Sequence, residues 1–135
     1  MVDPFVHRIR TRYAEIDGQG VVFNAHWLTY FDDTCTRFMQ SLDLGARFWL
    51  GEFDVMLVHA ELEWQGPAYF DEWIDIAVAP VRLGRSSFDL RYRAAVGERP
   101  ACTATITYVG IVPGKNEPVE LPSGLRVAFS ARMPK

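Results

Sequence analysis

At 135 residues with 49% hydrophobic side chains, the chain fits one domain with its own core, and a charged fraction of 23% excludes a disordered or fibrous protein. The formal net charge of −3 argues against nucleic acid as the main partner, because phosphate binding favours a basic face. A small anionic ligand, needing only two or three local cations, stays compatible with it.

Phe5 to Tyr13 alternates in period two. Phe5, His7, Ile9, Thr11 and Tyr13 share one side, and Val6, Arg8, Arg10 and Arg12 share the other, which predicts a first strand with a basic row facing solvent or ligand. The stretch Glu15 to Phe23 reads as a loop, where Gly18 and Gly20 admit backbone shapes closed to other residues. From Asn24 the spacing turns helical. Leu28, Phe31, Cys35, Phe38, Met39 and Leu42 fall at steps of three and four, one apolar stripe of about five turns. Asn24 is read as its N-cap, Asp32 and Asp33 as its polar side, and Gly45 as the residue that ends it.

Four strand patterns follow. Val55 to Gln65 ends at Gly66-Pro67, and Glu72 to Leu83 contains Pro80, which marks an edge or a bulge. Arg85 to Val96 and Ala101 to Val112 are joined by a hairpin turn over Gly97-Glu98-Arg99-Pro100. Pro113 to Pro122 reads as loop and Leu125 to Phe129 as a short closing segment. The order β-α-β-β-β-β, without repeat or linker, predicts a single α+β domain over residues 1–135. One helix cannot cover both faces of a five-stranded sheet, so the other face, or a sheet edge, is expected to meet a partner subunit. Four Trp, five Tyr and nine Phe suit such an interface, and a homodimer is the expected minimum.

Cys35 and Cys102 lie far apart without metal-type spacing and read as buried thiols of a reducing compartment. Met1 to Arg12 lacks the apolar core of a leader peptide, and nowhere do about 18 apolar residues run together to span a membrane. The expected location is cytoplasmic.

The loop before the helix carries the chemistry. A carboxylate there, Asp17, stands close to a helix N-terminus whose amides can hold an oxyanion. That pairing suits acyl transfer to water. The competing reading is an aspartate that closes an Asx turn at Gly18. Glu15 and Glu63 read as surface charges, with a role as base the alternative for either. His26 either donates to a substrate carbonyl or is held by a backbone carbonyl at an interface. With His7 and His59 it shows no HxH or HxxxH spacing, so no metal site is expected. Arg91 and Arg93 fit a solvated strand face. Gly84-Arg85-Ser86-Ser87 lacks the GxSxG spacing of a serine nucleophile.

Three stretches in order resemble the hotdog-fold acyl-CoA thioesterases of the 4-hydroxybenzoyl-CoA thioesterase type. They are Asp17 with Gly20-Val21-Val22-Phe23-Asn24-Ala25-His26-Trp27-Leu28-Thr29-Tyr30-Phe31, then Trp64 to Glu72, then Arg82 to Phe88. The resemblance covers about residues 6 to 128. It implies a hotdog fold, one long central helix wrapped by a five-stranded antiparallel sheet. It also implies a homodimer with two active sites at the subunit interface, able to assemble further into a homotetramer. By position Asp17 matches the family's catalytic carboxylate and the Asn24 amide its oxyanion donor, while Arg85, Ser86 and Ser87 fall in the segment near coenzyme A. Gly20 and Trp27 fall among the substrate-binding positions, with Phe31 and Trp64 as further candidates for an acyl tunnel. Relatives commonly place His or Tyr at position 24, Asn at 26 and Tyr at 27, so Asn24, His26 and Trp27 depart from the pattern.

The implied activity is hydrolysis of an acyl-CoA to free acid and coenzyme A. Asp17 would be general base or nucleophile, the Asn24 amide would hold the oxyanion and His26 would assist. Coenzyme A belongs to the substrate, and no metal or other cofactor is expected. The rival readings are an acyl-thioester dehydratase or hydratase using His26 with Asp17, and a non-catalytic acyl-CoA-binding module.

Overall fold

The computed structural model describes residues 3–42 and 53–134. In chain order they form β1 (Phe5–Arg10), a short 3-10 turn (Tyr13–Glu15), α1 (His26–Ser41), β2 (Asp54–Trp64), β3 (Trp73–Leu83), β4 (Ser87–Val96), β5 (Arg99–Ile111) and α2 (Ser123–Ser130). The five strands make one antiparallel sheet in the order β1-β3-β4-β5-β2.

Period-two alternation decides which face meets the helix. Ile74, Ile76 and Val78 of β3, Phe88, Leu90 and Tyr92 of β4, and Cys102, Ala104 and Ile106 of β5 are all buried. Against them α1 lays Trp27, Tyr30, Phe31, Thr34, Cys35, Phe38 and Met39, its apolar stripe. Phe31 sits on Tyr92 with ring centroids 4.9 Å apart. Cys35 and Cys102 are free and buried, and burial pushes their thiols up to about 11 and about 12, so both pack as neutral groups.

The outer face carries paired charges. Arg8 pairs with Asp75 at 3.2 Å, Arg82 with Asp89 at 3.0 Å, and Thr107 donates to Asp89 at 2.7 Å. Val6 and Trp73 stand exposed on the same face beside these pairs. Edge strand β2 is different: Met56, Leu57, Val58 and Trp64 are 40–54% exposed along it.

Several expected boundaries move. The first strand stops at Arg10 instead of Tyr13, because residues 13–15 close a 3-10 turn. Asn24 is not the N-cap. The helix begins at His26 with Ala25 in the capping position, and no side chain caps it. Gly45 lies outside the described residues. Pro80 lies beyond Val78, where the pairing of β3 with β1 ends, and beside a register shift against β4, so it stands at a local edge and at a bulge. The β4–β5 connection is tighter than read: Val96 pairs with Arg99 across Gly97, whose φ of +60° favours glycine.

The largest correction is α2, where a short closing segment was expected. Leu125 and Phe129 are one helical turn apart and both fully buried, but a single four-residue step gave too little periodicity to mark a helix. Phe129 lies 5.7 Å from the Phe38 ring of α1 and 5.0 Å from Phe88 of β4. Phe129→Ala should therefore lower stability by about 3–5 kcal/mol in a urea titration, the range for emptying a buried aromatic site.

Candidate active site

The strand-to-helix crossing is anchored by Glu15, which is buried and not the surface charge expected of it. Its carboxylate accepts from the Arg12 amide at 2.7 Å, the Arg12 guanidinium at 2.8 Å and the Tyr30 hydroxyl at 2.9 Å. Burial alone would raise this carboxyl, but those bonds outweigh it and hold the group below its ordinary value. The Glu15 carbonyl also accepts the Phe23 amide at 2.9 Å, so both ends of the intervening loop are tied to one residue.

Within that loop Asp17 does close an Asx turn. Its Oδ1 accepts the Gln19 amide at 2.8 Å and faces the Val21 amide at 3.5 Å, while its backbone bonds to Val21 and Gly20. Gly20 at φ +80° takes the left-handed conformation the turn requires. The turn occupies only Oδ1. Oδ2 accepts no hydrogen bond among the described residues, so the structural and the chemical readings of Asp17 are compatible.

The helix start supplies the complementary donors. The His26 amide bonds back to Phe23 at 2.9 Å and the Trp27 amide to Asn24 at 3.4 Å. That leaves the Asn24 and Ala25 amides, just ahead of the helix, donating to no group among the described residues, at the positive end of the helix dipole. Asn24 thus loses its capping role and keeps a free backbone N–H.

Asp17, Asn24, Trp27, Trp64, Gly66 and Pro67 line one cleft of about 280 Å³, and Asp17 is the titratable group on its wall. Val22 N–H bonds to the Ala68 carbonyl at 2.9 Å, and Val21 bridges to Tyr69, which holds the loop against the 66–72 segment. Gln65, Gly66 and Pro67 were read only as a strand terminator and a weak motif; here they form the far wall.

Other expected site residues lie elsewhere. His26 packs edge-on against Phe23 at 5.7 Å and is not on the cleft wall. Gly20 shapes the loop without lining the cleft. Phe31 is entirely core, whereas Trp64 is exposed and does form wall. Glu63 is exposed, as expected, and with Glu61, Arg91 and Arg93 borders a depression on the outer face. Arg85, Ser86 and Ser87 form the β3–β4 tip, far from Asp17. Ser87 pairs with Val109 and Trp64 with Cys102, levels roughly 23 Å apart along β5 at about 3.3 Å per residue. Among the described residues no three His, Cys, Asp or Glu side chains gather, and no helix is long and apolar enough to cross a membrane.

A sequence model of the thioesterase superfamily matches residues 19–103. The chain belongs to that superfamily. It is similar to a 1,4-dihydroxy-2-naphthoyl-CoA hydrolase of Synechococcus elongatus, with 25% identity over 118 residues, 85% of this chain and 87% of that protein. A putative esterase of Aquifex aeolicus is 26% identical over 97 residues, 66% of this chain and 70% of the other. Among solved structures, a 1,4-dihydroxy-2-naphthoyl-CoA thioesterase from Synechocystis superposes with a TM-score of 0.83 at 20% identity, covering 95% of this chain and 96% of that one. A probable thioesterase from Bartonella henselae gives 0.80 at 25% identity, covering 89% and 100%. The fold is the hotdog fold of these thioesterases, and the protein is a thioester hydrolase.

The Glu15 anchor has a definite pH signature. Its folded pKa is depressed, so the stabilisation is present above its ordinary value of 4.5 and is lost as pH falls through the folded value. Glu15→Gln should cost about 2 kcal/mol at neutral pH, since bonds to a buried charge are lost. The gap to wild type should narrow in urea titrations repeated at successively lower pH below 4.5.

Proposed function

We propose that the protein hydrolyses acyl-CoA thioesters to the free acid and coenzyme A, with Asp17 as general base or as nucleophile through an anhydride. The observation that carries this reading is that Asp17 and Asn24 line one cleft, the first with Oδ2 unbonded and the second with its amide free among the described residues. A thioester carbonyl seated there would place its oxygen at the amide and its carbon before the carboxylate. Attack by water deprotonated at Oδ2, or by Oδ2 itself, builds negative charge on that oxygen. The amide and the helix dipole meet it. Collapse expels the coenzyme A thiolate. One oxyanion donor is worth about 10²–10³-fold and a positioned base about 10²–10⁴-fold, enough for an ester already activated by sulfur. These steps draw on no metal or redox cofactor.

His26 takes a positioning role: its ring on Phe23 braces the turn that presents Asn24. Trp27 and Trp64 offer flat apolar walls to the acyl group. Arg85, Ser86 and Ser87 receive the phosphates of coenzyme A from a second copy of the chain. The apolar edge of β2 supports a homodimer, and a homotetramer can be built from two of them. A two-fold axis through the middle of β2 brings the hairpin tip of one copy level with the Asp17 cleft of the other, which answers their separation within one chain. The reaction belongs in the cytoplasm, where acyl-CoA is made.

Free-thiol release from a panel of acyl-CoAs tests this. Hydroxyaryl acyl groups belong in the panel because the cyanobacterial relatives are hydrolases of one. Asp17→Asn should lower turnover at least about 100-fold, the order expected for a lost base. A product altered at the acyl α,β-bond without thiol release would instead mean a hydratase, and binding without turnover a binding module.

A further inference from the structure

The β3–β4 tip is held in an unusual way. All four of its carbonyls are occupied. The Ser87 carbonyl accepts the Gly84 amide at 2.7 Å, the Ser86 carbonyl accepts the Gly110 amide at 2.7 Å, and the Arg85 carbonyl accepts the Leu121 amide at 2.9 Å. Arg126 completes the set from α2: its guanidinium donates to the Gly84 carbonyl and, at 3.0 Å, to the Arg85 carbonyl. A Cβ at Gly84 would lie 2.8 Å from the Arg82 guanidinium and 2.9 Å from Ser87 Oγ, so both side chains would have to shift to admit one.

Apart from the Gly84 amide, donors of the same tip are left over. The Arg85 and Ser86 amides, the Ser86 hydroxyl and the Arg85 guanidinium have no partner among the described residues. The neighbouring Arg82 is spent on Asp89 and Ser87. A turn whose carbonyls are all occupied while these four donor groups stay free has the polarity of an anion cradle. Without Arg126 the Gly84 carbonyl would have no donor and the Arg85 carbonyl only one. A free carbonyl beside the cradle would repel a phosphate.

We propose that Arg126 is a positioning residue for coenzyme A. It binds no substrate itself, but by taking the Gly84 and Arg85 carbonyls it locks the tip with Arg85 and the two amides turned to the nucleotide phosphates. The inference builds on the coenzyme A reading above and adds to it a residue from α2, outside the stretch matched by the superfamily model. It also gives α2 a use beyond packing: Leu125 and Phe129 seat the helix in the core, and Arg126 between them reaches the tip.

Calorimetric titration with coenzyme A and with pantetheine, which lacks the nucleotide, separates positioning from folding. Arg126→Ala should weaken coenzyme A binding about tenfold, the scale of one charge-assisted contact, and leave pantetheine binding as in the wild type. Arg126→Lys, with one nitrogen for two carbonyls, should fall between. Arg85→Ala combined with Arg126→Ala should lose less affinity than the two single losses multiplied, because one acts through the other. The proposal is overturned if Arg126→Ala binds coenzyme A as tightly as the wild type, or if both ligands weaken equally. Hydrolysis is read separately. A wild type whose coenzyme A binding depends on Arg126 yet which releases no thiol from any acyl-CoA would contradict the proposed function and leave the clamp standing.

Discussion

Glu15 is a carboxylate taken out of water, and such a group must be met by donors or it destabilises the fold. Here it is met from both sides of the strand-to-helix crossing, by Arg12 just past β1 and by Tyr30 on the second turn of α1. The crossing can therefore take only one path. That path sets where the Asp17 turn projects and which amides the helix leaves uncovered. The position of the Asp17 turn and the open start of the helix are consequences of a buried carboxylate paired with an exposed arginine.

A second economy lies in the sheet. Its inner face is filled by one amphipathic helix, and its outer face is finished with threonines and paired charges such as Arg82 with Asp89. Among the described residues, what is left unfinished is the β2 edge, with unpaired backbone and apolar Met56, Leu57 and Val58. The cleft at Asp17 and the tip at Arg85 stand at opposite ends of that sheet. In the proposed dimer the edge that calls for a partner is also the feature that brings the two together.

The strands were legible because buried and solvent-facing residues alternate cleanly, as in Ile74-Asp75-Ile76 or Leu90-Arg91-Tyr92. The helix was legible from the Phe31, Cys35, Phe38 and Met39 stripe. Its start was not. Asn24 is a favoured capping residue, but the cap is decided by the Phe23–His26 turn that Glu15 pulls into place, a contact between residues 15 and 23 that no local rule registers. The same blindness hid Glu15 itself, since a glutamate in a polar stretch looks solvated until Tyr30 is seen above it. Asp17 was readable as a candidate, although not how its two oxygens divide the work. Arg126 could not be found, because its partners are backbone carbonyls some forty positions away. Periodicity records burial; it does not record which carbonyl a surface arginine will reach.

The central claim is that the Asp17 carboxylate and the Asn24 amide grip the same thioester carbonyl. The most direct measurement is a crystal structure with an acyl-CoA analogue in which a methylene replaces the sulfur, so that the carbonyl is kept but cannot be hydrolysed. The account predicts the carbonyl oxygen about 3 Å from the Asn24 nitrogen, Asp17 Oδ2 facing the carbonyl carbon, and the nucleotide phosphates at an Arg85 tip. An analogue bound with its carbonyl away from Asp17, or with the Asn24 amide bonded elsewhere, would contradict it.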